Sequence, residues 1–197
     1  QLRDWASQVK RQPTQVQIKS LHSIAGRVEA LWQLALQRLH IAEEQSARNV
    51  DVWGSEPKDN GRAVTREEIE EALANPDGAY QRLRTAMNAW CALWFWPVTE
   101  NALRVQTDQG ELIASPPNME TWIDTMTELL GGAGQKTDWN APTLSSIIDW
   151  ESLEAAEKFE LQLTGAQPTD KVRKKFPWLQ VCDRVAQQQR FFHWELE

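Results

Sequence analysis

Few residues in this 197-residue chain have the type and spacing to do chemistry, and each group can be weighed singly. His40, Glu43 and Glu44 put an imidazole and two carboxylates within one turn of a helix, half of what a bundle metal site needs. The other half is missing. His22 lies 18 residues earlier and His193 far downstream, so the trio reads as a solvated helix face and no metal is assigned. Two cysteines, Cys91 and Cys182, stand 91 positions apart and give neither a disulfide framework nor a CxxC knuckle. Cys91 beside Trp90 is expected to behave as a small hydrophobe with a raised pKa, not as a nucleophile. Glu67, Glu68, Glu70 and Glu71 form an acid-rich first turn that favours a helix N-terminus electrostatically without implying acid–base catalysis. Nucleotide signatures are lacking: there is no GxGxxG or GxxxxGK[ST], and Gly131-Gly132-Ala133-Gly134 follows a helical pattern instead of joining a strand to a helix.

Charge offers the remaining candidates. The formal net charge is -7, against a protein that coats nucleic acid over its whole surface. Its distribution is uneven: residues 1–40 carry six basic and two acidic groups, residues 41–160 nine and twenty-two, and residues 161–197 six and four. The candidate DNA contacts are therefore Lys10, Arg11 and Lys19 near one end and Lys171, Arg173, Lys174 and Lys175 near the other, the last four with little nearby acid in sequence except Asp170. The plainer reading makes all seven solvated helix faces. Eleven tryptophans against one tyrosine and five phenylalanines is an unusual choice of aromatic, suited to cores and interfaces where one ring edge stays polar.

Positioning these residues falls to a mainly α fold, an irregular multi-helix bundle. Hydrophobic residues at 41% and charged residues at 25% are ordinary globular values, and no stretch approaches the roughly 18 uninterrupted apolar residues of a membrane span. Leu2, Trp5 and Val9 predict a short helix closed by Pro13. Thr14 and Gln17 form a capping box that opens a long helix to about Ala47, and residues 48–64 read as a loop. Thr65 and Glu68 open a short helix that buries Ile69, Ala72 and Leu73. Tyr80, Leu83, Met87, Trp90, Cys91 and Trp94 then form one apolar stripe, which places Trp90 and Trp94 in the core. Residues 103–114 admit a small hairpin turning at Asp108-Gln109-Gly110. Asn118 caps a helix stopped by Gly131-Gly132, and a loop around Trp139 and Pro142 follows. A helix from Asp149 through Leu153, Ala156 and Leu161, a basic turn capped by Thr169 or Asp170, and a helix over 178–190 complete the helical part. Residues 191–197 alternate like the start of a truncated strand. No internal repeat is visible.

The run Leu83-Arg84-Thr85-Ala86-Met87-Asn88-Ala89-Trp90-Cys91-Ala92-Leu93-Trp94-Phe95-Trp96-Pro97 resembles a segment of large adenine-specific DNA methyltransferases of restriction-modification and phage-defence systems. Lys175-Phe176-Pro177-Trp178-Leu179 through Phe191-Phe192-His193-Trp194-Glu195-Leu196-Glu197 resembles that family more closely. In the family, such a Phe-His-Trp-x-Leu-Glu run leads into the strand with the catalytic Asn-Pro-Pro-aromatic motif. The resemblance covers most of the chain from about Tyr80 onward and maps it between the S-adenosylmethionine loop and that motif, neither of which lies within it. Ser115-Pro116-Pro117-Asn118 imitates the motif but lacks the flat ring that stacks on an extruded adenine, so no catalytic residue is carried over.

The expectation is thus a single helical insertion or accessory domain over 1–197, cut from a longer chain, with a subdivision at 1–64 (long-helix arm) and 65–197 (Trp-rich body). The resemblance implies that the parent is a cytoplasmic bacterial or archaeal DNA adenine-N6 methyltransferase using S-adenosylmethionine. The fragment itself is expected to hold no cofactor and do no catalysis. It would position DNA or brace the catalytic domain, with the rest of the enzyme and DNA as partners and no membrane. The alternative is a helical protein–protein interaction module with a Trp-rich docking face.

Overall fold

The computed structural model describes residues 12–46, 64–132, 147 and 149–191. Their elements are α1 (Gln15–Ser46), α2 (Arg66–Ala74), α3 (Ala79–Ala92) running into a 3-10 turn (Leu93–Phe95), α4 (Glu100–Leu103), β1 (Arg104–Thr107), β2 (Gly110–Ile113), α5 (Met119–Leu130), α6 (Trp150–Leu163), α7 (Thr169–Lys175) and α8 (Trp178–Gln189). The fold is mainly helical, with a long N-terminal helix and a two-stranded antiparallel hairpin. The short helix predicted before Pro13, the loops over 48–63 and around Trp139, and residues 192–197 lie outside the described residues.

Local signals set most boundaries. The Thr14 N–H donates to Gln17 Oε1 at 2.9 Å while the Gln17 N–H donates to Thr14 Oγ1 at 3.3 Å, and Thr65 and Glu68 exchange the same pair of bonds at the start of α2. Asn118 accepts the Thr121 N–H at the head of α5, and Gly131, at φ 91, ends it. Ile69, Ala72 and Leu73 are only half-buried, because α2 packs against α3 alone among the strongest contacts and buries no residue fully.

Helix α3 is the central element, in contact with α1, α2, α5 and α8. Its buried face is Ala79, Arg82, Leu83, Thr85, Ala86, Ala89 and Ala92. This corrects the expected stripe. The period is helical, but the phase is rotated by about one residue, so Trp90 is 49% exposed and Trp94 76% exposed. The reason is steric: neighbouring helix axes approach to about 8–10 Å, and a helix surrounded by several neighbours accommodates methyl groups in the gaps, where indole rings do not fit. The 3-10 turn after Ala92 further shifts Trp94 from the helical register.

One hydrophobic cluster joins Leu31 and Leu34 of α1, Leu83 and Ala89 of α3, Met126 and Leu129 of α5, Leu153 of α6, Val172 of α7 and Leu179 and Val181 of α8. Through it runs a polar network. Glu157 and Glu160 of α6 lie on the same stripe as Leu153 and are buried. Glu157 Oε2 accepts Arg38 Nη2 at 2.5 Å, and its Oε1 accepts the Ala79 N–H at 2.6 Å, which supplies an acceptor at the head of α3 where Gly78 has no side chain to do so. Arg38 also lies over the Trp150 ring, 4.8 Å from its centroid. Arg27 pairs with Glu160 and donates to the Leu130 carbonyl, at 3.2 Å from Nη2. Arg82 donates to the carbonyls of Leu129 (2.5 Å) and Gln167 (2.8 Å) and to Asp77. The last two carbonyls of α5 are therefore satisfied by arginines from α1 and α3. Asp77 also accepts the Thr169 N–H at 2.7 Å, so the head of α7 is capped from 92 positions away and not by its own Thr169 or Asp170 side chain, a second correction.

Candidate functional site

Two surfaces stand out. The first surrounds the basic run of α7. Arg173, Lys174 and Lys175 occupy the last turn of that helix, where cations complement the helix dipole. Each has an acid that the sequence does not place nearby. Arg173 Nε lies 3.2 Å from Asp183 of α8, Lys174 Nζ lies 3.8 Å from Asp108 in the hairpin turn, and Lys175 pairs with Glu128 of α5. Lys171 donates to Gln167 Oε1 at 2.9 Å. The expectation that this cluster meets little acid is thus overturned by long-range packing. Arg173 is half-buried; Lys171, Lys174 and Lys175 are exposed. Lys19 is exposed on α1, and Lys10 and Arg11 lie outside the described residues.

Lys174 and Lys175 wall a groove of about 520 Å³ together with the hairpin residues Gln106, Thr107, Asp108, Gln109 and Leu112 and with Pro177 and Gln180. The hairpin sits there because Val105 is buried in the core cluster and because α8 reaches β1 with two side chains. Gln180 Nε2 donates to the Gln106 carbonyl at 3.0 Å, and Arg184 Nη2 donates to the Arg104 carbonyl at 2.8 Å. Nothing in the spacing of the sequence signals this wall.

The second surface is aromatic. Trp90, Trp94, Phe95 and Val98 fall within nine residues, and Phe95 is 54% and Val98 82% exposed. Trp90 meets the half-buried Trp122 edge to face at 5.7 Å, and Phe95 meets Phe191 at 5.5 Å. Trp90 and Phe95 are therefore each held by one ring contact while still presenting apolar area to solvent.

Comparison with known protein families, characterised proteins and solved structures finds no match.

His40 Nε2 lies 3.3 Å from Glu44, both exposed, and no group of three potential metal ligands occurs among the described residues. Cys91 is half-buried, not core, and burial pushes its thiol up; Cys182 is buried, and burial followed by the Asp183 charge pushes its thiol up further. Burial also pushes the Asp183 carboxyl up, opposed by Arg173. Asn118 of the Pro-Pro tetrapeptide is engaged as a helix cap. Gly131 does not fit an S-adenosylmethionine loop: a Cβ there would meet Thr164 Oγ1 at 2.4 Å, so its bare face is filled by protein and offers no cradle. Among the described residues, no helix is long and apolar enough to cross a membrane.

Proposed function

We propose that the chain is a non-catalytic helical part of an S-adenosylmethionine-dependent DNA adenine-N6 methyltransferase of the bacterial or archaeal cytoplasm, and that it braces the catalytic domain through its aromatic face. The methyltransferase assignment rests on the resemblance around Trp90 and from Lys175 onward. The bracing role is carried by one observation, the exposure of Trp90, Trp94, Phe95 and Val98 within nine residues. Large apolar side chains exposed this close together in the chain favour contacts with other protein, and Trp is a preferred interface anchor. Positioning of DNA by Lys171, Arg173, Lys174 and Lys175 is the weaker role, because a carboxylate beside each of Arg173, Lys174 and Lys175 offsets the attraction for phosphate.

The test compares Trp94→Ser with Val98→Ser in the complete polypeptide. Adenine methylation of duplex DNA is expected to fall about tenfold or more as a ring anchor is lost at an interface. Stability of the isolated chain should change by less than about 1 kcal/mol, since both side chains are solvated in it. Unchanged methylation sinks the bracing role, and a salt slope of DNA affinity that drops by about 0.9 per lysine in Lys174→Glu with Lys175→Glu would restore the DNA role. The same aromatic face supports a second reading, a docking module for a separate protein. Absence of methyl transfer by the complete polypeptide would leave that reading standing alone.

A further inference from the structure

We draw no further inference here: the strongest candidate, the exposed edge of β2 at Glu111 and Ile113, is an open face of the hairpin and nothing in the structure shows what covers it.

Discussion

Removing the carboxylate of Glu157 should be among the costliest single substitutions in the chain. Its two oxygens serve different helices, one accepting Arg38 of α1 at 2.5 Å and the other the Ala79 N–H of α3 at 2.6 Å. Glu157→Ala leaves the Arg38 guanidinium, 7% exposed, without its charge partner, which costs about 3–5 kcal/mol in buried pairs. It also strips an N-terminal acceptor from α3, worth about 1 kcal/mol. Because one side chain carries both roles, the two terms overlap, and the expected loss is about 4 kcal/mol out of a typical total of about 5–15. Glu157→Gln keeps a neutral acceptor for both donors and should lose only about 2 kcal/mol. Replacing both members of the pair, Arg38→Met with Glu157→Leu, should recover most of the Arg38 term, since apolar substitutes for a buried pair are often neutral or better. Urea unfolding followed by circular dichroism reads the native chain, these variants and the two singles Arg38→Met and Glu157→Leu, with the slope of free energy on urea expected to stay constant. A loss under about 1 kcal/mol in Glu157→Ala, or a double variant as unstable as the sum of the singles, would refute the reasoning.

Two further outcomes follow from the geometry. Gly131→Ala should cost about 2–4 kcal/mol, combining a positive φ with a clash against Thr164, whereas Gly165→Ala, at φ 69 with open space around it, should cost about 1 kcal/mol; equal thermal shifts in the two would contradict this. Asp183 is raised by burial in the fold, so the stability tied to its protonated form is complete below the unfolded carboxylate pKa and is lost as pH rises through the higher folded value. Asp183→Asn should therefore gain stability relative to the native chain as pH rises from about 4 to 7, and a gain that instead grows on acidification would show Arg173 to dominate over burial.

The sequence made the helix ends legible because caps are local: Thr14, Thr65, Asn118 and Gly131 each act within a few residues of their own position. The hairpin was legible for the same reason, since a two-residue turn sets its own register. The phase of α3 was not. Large residues dominate any reading of hydrophobic period, while a helix enclosed by neighbours is specified by its small ones, here Ala79, Ala86, Ala89 and Ala92. The regular spacing of those alanines was the available signal. Nothing near Glu157 and Glu160 in the sequence signals their burial, because their partners Arg38 and Arg27 stand 119 and 133 positions away. The same holds for Lys174 and Lys175, whose acids and whose groove come from the hairpin and α5, so a basic run in sequence became a nearly neutral surface in space.

The two arginines at the end of α5 bear on how the bundle opens. Helix ends ordinarily fray independently, because their last carbonyls are held by nothing beyond the helix itself. The Leu129 and Leu130 carbonyls are held by Arg82 of α3 and Arg27 of α1, and Arg27 is in turn fixed by Glu160 of α6. The last turn of α5 therefore cannot loosen without releasing side chains rooted in two other helices. That couples four helices into one cooperative unit at a point where most bundles have a weak spot. A lysine in either place would not reproduce the coupling, since a single ammonium lacks the planar fork that lets one side chain hold a carbonyl and a carboxylate, or carbonyls from separate segments, at once.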